Sequence, residues 1–102
     1  MKSDPMRILD GPALMTVRPS ENAFLHCQVT GNPLPRIHWE KNNTVLVNQH
    51  NMRVYGNGTL IIVSMSPNDA GTYKCIADNG ISSPISRSIQ LNIRGKTKIR
   101  FR

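Results

Sequence analysis

The sequence predicts an all-β fold, either an antiparallel sandwich or a barrel, and three observations support that class. Apolar and polar residues alternate over several short runs, which is the pattern of strands that bury one face. Segments rich in glycine, proline, asparagine and aspartate separate the runs, so strands recur at a spacing of roughly ten residues. No long segment carries the helical period, so we expect almost no helix.

The alternation also assigns an inward face to each predicted strand in turn. The inward residues are Leu25, Cys27 and Val29 in AFLHCQV, Ile37 and Trp39 in RIHWEK, Leu60 and Ile62 in TLIIVSM, Tyr73, Cys75 and Ala77 in TYKCIAD, and Ile89, Leu91 and Ile93 in SIQLNI. The turns between them are TGNPLP (30–35), EKNN (40–43), YGNG (55–58), SPNDAG (66–71) and DNGISSP (78–84). Cys27 and Cys75 could therefore meet across the core, with Trp39 packed beside them.

The two cysteines leave three interpretations open: a disulfide, two buried thiols, or one reactive thiol with a bystander. A nucleophilic Cys75 with Asp69 as its helper is disfavoured, because a reactive thiolate needs exposure and positive surroundings. The histidines do not stand at the spacing of zinc ligands, so we expect neither a metal site nor a cofactor. No serine-nucleophile, metalloprotease or phosphate-loop motif occurs, and we expect no catalysis.

Cys27, Trp39, Leu60 and the motif DAGTYKC (69–75) occur together in an order that resembles an immunoglobulin domain. Within that family, GNPLPRIHW, NGTLII and CIADN are most similar to the intermediate, or I-set, subclass. The resemblance implies a two-sheet sandwich with Greek-key topology. The chain then divides into an N-terminal extension or tag (1–5), the immunoglobulin-like domain (6–94) and a basic C-terminal tail or linker (95–102).

The resemblance implies that these residues are structural rather than reactive. Cys75 bonds to Cys27, and Trp39, Tyr73 and Leu60 lie in the core around that bridge. A disulfide implied by the family is also consistent with the inward phase of both cysteines.

The resemblance further implies two contacts at the corner that leads into the second-cysteine strand. The Tyr73 hydroxyl bonds a backbone group near that corner, and Asp69 forms an ion pair with Arg53. The turn after the second cysteine departs from the family's pattern, because Asn79 and Gly80 are adjacent. Loop contacts known for relatives are therefore not carried over to this chain.

Two Asn-x-Thr triplets begin at Asn42 and Asn57, and both fall in predicted turns, where an N-glycan acceptor must lie. The alternative for Asn57 is that Asn57-Gly58 serves only as a hairpin turn. Together with the implied disulfide, the triplets favour an extracellular location, either secreted or in the ectodomain of a membrane protein. No stretch reaches the roughly 20 apolar residues of a membrane span. The start, MKSDPMRILD, lacks the apolar core of a signal peptide, so we expect any export signal to lie outside this chain.

The net charge of +7 is concentrated at the C-terminal end. Four bases alternate with other residues there and would share one face of an extended chain: Lys96, Lys98, Arg100 and Arg102. Such a face could bind a heparin-like sulfated glycan or an acidic lipid, and the alternative is a solvated linker. Aromatic residues are too scarce to favour nucleic-acid binding.

We expect a module that binds a protein, either a second copy or a different chain, as in adhesion or in receptor and matrix recognition. The alternatives are a passive spacer in an array of domains and a polyanion-binding module that acts through the tail. The candidate contact residues are predicted to point outward on two strands and the turn that follows: Arg36, His38, Lys41, Lys74, Ile76 and Ile81. Ile76 and Ile81 are expected to be exposed apolar groups, which often mark contact sites, unless neighbouring side chains cover them.

Overall fold

The computed structural model describes residues 4–94, which contain ten strands and one turn of 3-10 helix. The strands are β1 (Asp4–Ile8), β2 (Leu14–Val17), β3 (Ala23–His26), β4 (Val29–Asn32), β5 (Arg36–Lys41), β6 (Thr44–Val45), β7 (Met52–Val54), β8 (Thr59–Ile62), β9 (Gly71–Asp78) and β10 (Ile85–Ile93). The helical turn, Pro67–Asp69, lies between β8 and β9. The predicted all-β class is confirmed.

The first strand starts earlier than the sequence suggested. β1 includes Asp4 and Pro5, which the predicted boundaries placed in an N-terminal extension. Asp4 pairs with Asn32 at the edge of the sheet. Proline is tolerated in an edge strand because its missing N–H has no ladder partner there. Because aspartate and proline are uncommon in strands, the sequence pattern did not indicate that β1 begins at Asp4.

The strands form two layers. One is a five-stranded sheet in the order β2-β10-β9-β5-β6, and the other contains β3-β8-β7 together with the pair β1-β4. β3 and β4 are two halves of one strand that is interrupted at Cys27 and Gln28. β3 pairs with β8, and β4 pairs with β1. The hydrogen bonds from Cys27 N to Gly58 O and from Leu9 N to Gln28 O, both 2.9 Å, extend these two pairings to the interruption. With β3 and β4 counted together, the described sandwich has nine strands.

Neighbouring strands in the sheets are often distant in sequence. β3 pairs antiparallel with β8, and β10 pairs parallel with β2. The chain crosses from one layer to the other between β1 and β2, so its first segment contributes to both sheets. This interleaved order is that of a Greek-key sandwich and not of a simple meander.

The core lies between the layers and is built from the residues to which the alternation assigned an inward face. Trp39, Tyr73 and Leu60 are completely buried. Phe24 and His26, which alternate with buried neighbours on β3, are exposed. The period-two pattern therefore predicted the buried side of this strand correctly.

The disulfide between Cys27 and Cys75 crosses the core and joins the two layers, with the Cα atoms 6.4 Å apart. The described residues contain no free cysteine. Closing a loop across a sequence separation of 48 residues stabilises a fold by about 3–4 kcal/mol in the chain-entropy model.

The corner before β9 differs from the predicted ion pair. The Tyr73 hydroxyl donates a buried hydrogen bond to the Asp69 carbonyl oxygen at 2.6 Å. The Asp69 carboxylate accepts hydrogen bonds from Ser66 N and Ser66 Oγ, and from Asn51 Nδ2 at 3.0 Å. The ion pair predicted between Arg53 and Asp69 is therefore wrong. The Asn51 side chain donates to the Asp69 carboxylate instead.

Arg53 is held away from that carboxylate by its own strand. It alternates with buried Met52, so it faces outward. Its Nη1 donates to the backbone carbonyls of Gln49 and His50 in the preceding turn and of Met52 on its own strand. The resemblance that implied a partner for Asp69 could not show that backbone oxygens satisfy the guanidinium instead.

The predicted polyanion contacts Lys96, Lys98, Arg100 and Arg102 lie outside the described residues. Between residues 4 and 94, no helix is long and apolar enough to cross a membrane. The same part of the chain contains no cluster of three or more His, Cys, Asp or Glu side chains that could hold a metal ion.

Candidate binding surface

The outer side of the five-stranded sheet carries the residues that alternate with buried ones on β5, β9 and β10. The strand register arranges them in rows: Arg36 with Asp78; His38 with Ile76 and Ser86; Glu40 with Lys74 and Ser88; and Thr72 with Gln90. Residues directly opposite each other point to the same side of a sheet. These rows therefore form one continuous surface, which we call the outer sheet face.

Four of the predicted contact residues lie on this face, and their exposure differs. Arg36 is exposed, while His38, Lys74 and Ile76 are half-buried. Ile81 follows in the turn between β9 and β10 and is 73% exposed. The expectation of two exposed isoleucines holds for Ile81 alone.

Ile76 is half-buried because it lies on the central strand of the sheet. His38 of β5 stands opposite it on one side and Ser86 of β10 on the other. The neighbouring side chains thus cover part of Ile76, which was the alternative interpretation of this residue.

The prediction that Lys41 belongs to the same face is wrong. Lys41 has the phase of Trp39, so it points to the opposite side of β5. Its Nζ lies 5.2 Å from the centroid of the Tyr73 ring and donates a hydrogen bond to Asn68 O at 2.8 Å. Glu40 takes the outward position instead.

The charges on the outer sheet face are not equally available. His38 Nε2 lies 3.1 Å from Glu40 Oε2, and Asp78 Oδ1 accepts a hydrogen bond from Gly80 N at 2.8 Å. Arg36 and Lys74 make no side-chain hydrogen bond or ion pair within residues 4–94. Each carboxylate thus has one polar contact inside the domain, whereas the two cations have none and are available to a partner.

An open cleft of about 700 Å³ lies at the end of this face where β5 begins and β9 ends. It is lined by Leu34, Arg36, Ile37, His38, Val45, Asp78, Asn79 and Gly80. Leu34 is 73% exposed and Val45 is 52% exposed, so apolar walls meet charged groups there. Concave surfaces that combine apolar walls with a few polar groups are typical binding sites.

The turn beside the cleft is held by its own side chains. Asn79 Oδ1 accepts hydrogen bonds from Ile81 N at 2.9 Å and from Ser82 N at 3.1 Å. Gly80 has a φ of 78°, a conformation that favours glycine. The adjacent Asn79 and Gly80 thus fix the turn that presents Ile81.

Sequence reasoning missed several residues of this surface. Glu40 and Asp78 could have been found, because strict alternation from Trp39 and Cys75 places them outward. Leu34 and Val45 gave no such signal. Leu34 lies in a loop, and Val45 joins the sheet only through the short strand β6, opposite Glu40.

A second surface lies on the outer side of β3, β8 and β7, and the sequence did not point to it. Phe24 and Ile61 stand opposite each other there, with Arg53 next in the same row. Phe24 is 48% exposed and Val63 is 39% exposed. This patch is apolar but carries no cleft like that on the outer sheet face among the described pockets.

The two Asn-x-Thr triplets both lie in exposed turns. Asn42 and Asn43 form the turn between β5 and β6 with φ values of 55° and 63°. Asn57 lies in the turn between β7 and β8, where its Oδ1 accepts a hydrogen bond from Thr59 N at 3.1 Å. Neither asparagine that would carry a glycan is buried.

A family model described as "Immunoglobulin domain" matches residues 8–79. Human hemicentin-1 is 37% identical over 93 residues, which cover 88% of this chain and 2% of hemicentin-1. The human netrin receptor DCC is 33% identical over 92 residues, which cover 87% of this chain and 6% of the receptor. The chain thus spans a small fraction of the length of these relatives.

A solved structure, "Sidekick-1 immunoglobulin domains 1-5", superposes with a TM-score of 0.79 at 29% sequence identity. The match covers 90% of this chain and 20% of that structure. The sandwich, the disulfide and the sequence thus match the same kind of domain.

Proposed function

Because the chain belongs to the immunoglobulin domain family, we propose that it is a non-catalytic extracellular module that binds another protein through its outer sheet face. The observation that carries this proposal is the open cleft between Leu34 and Val45, bordered by Arg36. The family is generally non-catalytic, and the described residues offer no metal cluster for chemistry.

The charges on the face indicate the chemistry of the partner. Arg36 and Lys74 are free of partners within the described chain, while Glu40 and Asp78 each have one polar contact inside the domain. A complementary surface would therefore present carboxylates to the two cations and an apolar side chain to the cleft. A partner of that kind fits adhesion or receptor recognition.

Three observations support an extracellular location. The disulfide is of the kind that persists in oxidising compartments. Both Asn-x-Thr triplets are exposed, so Asn42 and Asn57 are proposed as N-glycan acceptors. One of the relatives is a netrin receptor.

The proposed subclass is the intermediate, or I-set, type. Constant-type sandwiches have seven strands, and variable-type sandwiches add two to the sheet that contains β5, β9 and β10. This chain adds one, the short strand β6, and its first strand is divided between both sheets. With β1 and β2 counted as one divided strand, and β3 and β4 as another, the ten strands become eight, a number between the two types that supports the assignment.

The test is a binding screen with a matched pair of variants. The chain, displayed as an oligomer, is screened against secreted proteins and receptor ectodomains and against itself. The first variant combines R36E, K74E and I81D on the outer sheet face. The second combines F24D and V63D on the opposite sheet. Both must keep the melting temperature of the parent within a few degrees.

The proposal predicts that the first variant loses binding to the partner found in the screen and that the second keeps it. Full binding by the first variant would exclude the outer sheet face as the binding site. Loss of binding only in the second would move the site to the patch around Phe24.

The other functions have their own outcomes. Salt-sensitive retention on heparin that is lost on deleting residues 95–102 would favour polyanion binding through the tail. Absence of both partner binding and heparin retention would favour a passive spacer.

A further inference from the structure

A second concave surface lies near the turn between β7 and β8, away from the middle of the outer sheet face. It is a cleft of about 410 Å³. Its lining is mostly apolar: Leu9, Gln28, Val29, Leu34, Pro35, Ile37, Gly56 and Asn57. Leu9 is 43% exposed and Leu34 is 73% exposed, so apolar surface stays open to solvent in the folded domain. We call this cleft the apolar groove.

The rim of the apolar groove contains an Asn-x-Thr triplet. Asn57 lines the groove itself, and Thr59 completes the triplet two residues later. Asn57 Oδ1 is held by Thr59 N at 3.1 Å, and within residues 4–94 Asn57 Nδ2 makes no hydrogen bond. The nitrogen that would carry a sugar is therefore available.

There is also room for a sugar beside this asparagine. A Cβ built on the neighbouring Gly56 would meet no heavy atom within 4 Å. Gly58, on the other side, is buried and faces the core, so the chain around the triplet is fixed. The open space is therefore on the side of the apolar groove and the solvent.

We propose that Asn57 carries an N-linked glycan whose first sugars lie in the apolar groove. In the attachment step, Asn57 Nδ2 bonds to the anomeric carbon of N-acetylglucosamine and loses one proton. The pyrophosphate of the lipid-linked oligosaccharide donor leaves with the electron pair of the broken carbon–oxygen bond. No oxidant or reductant takes part, and the secretory pathway supplies the donor.

The groove has the chemistry of a carbohydrate site. A pyranose ring has an apolar C–H side, which would pack against Leu34, Leu9 and Ile37. The exposed amide of Gln28 offers a donor and an acceptor to the acetamido group or to a hydroxyl. The volume of about 410 Å³ falls in the range of small-ligand pockets, roughly 300–1,000 Å³.

The other triplet provides an internal comparison. Asn42 lines a smaller cleft of about 280 Å³ together with Glu40, Asn43, Thr72, Lys74 and Ser88. These neighbours are polar or charged, so a sugar at Asn42 has no apolar wall to pack against. A glycan at Asn42 should therefore extend into solvent without stabilising the fold.

The first experiment measures occupancy. The chain is expressed behind a secretion leader in cells that keep glycans high in mannose, and intact masses are compared with and without peptide N-glycosidase. N57Q should lose the mass of one glycan. N43Q, which leaves both triplets intact, should lose none. An N57Q mass that still contains every glycan of the parent would overturn the inference.

The second experiment measures docking in an N42Q background, where only the Asn57 glycan remains. Three forms are melted: the intact glycoprotein, the endoglycosidase H product that keeps the first sugar, and the fully deglycosylated product. Complete removal leaves an aspartate at position 57, whose carboxylate can still accept the Thr59 N–H. We expect the first two forms to melt together and the third to melt lower by roughly 4 °C or more.

A matched pair of leucine variants assigns that shift to the groove. L34S should abolish the difference between glycosylated and deglycosylated forms. L14S removes another exposed leucine, 58% exposed on β2, and should leave the difference unchanged. Equal melting of all three forms, or an undiminished shift in L34S, would contradict docking. Export is a premise shared with the proposed protein contact, and Leu34 and Ile37 line both clefts. These measurements use no partner, so failure of partner binding would leave their outcomes unaffected.

Discussion

Gly58 shows how one residue can couple a turn to the core. Its carbonyl oxygen accepts a hydrogen bond from Cys27 N at 2.9 Å and another from Trp39 Nε1 at 3.3 Å. Its φ of 95° lies where side chains are disfavoured, and a Cβ there would collide with the Cys27 carbonyl oxygen. Gly58 thus satisfies the polar atom of the buried tryptophan at a position that only glycine fills.

We predict that G58A destabilises the domain by at least about 1–3 kcal/mol, from backbone strain and the collision with Cys27. The control is G56A in the same turn, where a Cβ meets open space and a change within about 0.5 kcal/mol is expected. Urea unfolding monitored by Trp39 fluorescence measures both. Equal free energies of unfolding for the two variants would remove this role of Gly58.

Tyr73 gives a second prediction at this scale. Burial first, and the nearby Asp69 carboxylate second, raise the pKa of the Tyr73 phenol, so it stays protonated and able to donate. Y73F removes its hydrogen bond to the Asp69 carbonyl and should cost roughly 0.5–1.5 kcal/mol. Y55F changes an exposed tyrosine and should cost nothing measurable. An unchanged melting temperature in Y73F would contradict a stabilising role for the hydrogen bond from the Tyr73 hydroxyl to the Asp69 carbonyl.

At the scale of elements, the corner between β8 and β9 is organised by hydrogen bonds rather than by an ion pair. Ser66 N and Oγ and Asn51 Nδ2 all donate to one oxygen of the Asp69 carboxylate. Asn51 Nδ2 also donates to Val63 O at 3.2 Å. Asn51 therefore ties the turn before β7 to the strand that leads into the corner.

A pair of double-mutant cycles tests this arrangement. Asn51 and Asp69 should show a coupling free energy of about 1 kcal/mol, because N51A and D69A remove the same hydrogen bond. Arg53 and Asp69 should show coupling near zero. Free energies of unfolding of the single and double alanine variants give both values. Strong coupling of Arg53 with Asp69 and none for Asn51 would restore the ion pair.

The contrast between these elements shows what the sequence could predict. The inward phase of β3, β5 and β9 follows from alternation alone, because each strand carries a large apolar or cysteine residue at alternate positions. The Lys41 prediction misapplied the alternation, because Lys41 follows Trp39 by two residues and so has the same inward phase. The partner of Asp69 depends on the path of the turn before β7, which no local pattern specifies. Leu34 and Val45 line the cleft only because distant segments meet there.

For the molecule as a whole, stability depends on a core that is crossed by one covalent bridge. Trp39 is fully buried between the sheets, and the disulfide joins them. The outer surfaces carry no comparable constraint, so they can vary without loss of the fold. Function is therefore expected to reside in surface residues such as Arg36 and Lys74.

We predict that W39A destabilises the domain by roughly 3–5 kcal/mol, because it leaves a large cavity and removes the bond to Gly58. The control is I81A, a substitution at a 73% exposed position, which should change stability by less than about 0.5 kcal/mol. Chemical denaturation followed by far-ultraviolet circular dichroism compares them. A cost below about 1 kcal/mol for W39A would mean that the tryptophan does not support the core.

The most direct test of the proposed contact is an amide chemical-shift map of the isotope-labelled chain titrated with the partner found in the ectodomain screen. We predict that the largest shifts fall on the outer sheet face and its adjoining turn, at Arg36, His38, Lys74, Ile76 and Ile81. Shifts confined to Phe24, Ile61 and Val63 on the opposite sheet would contradict it.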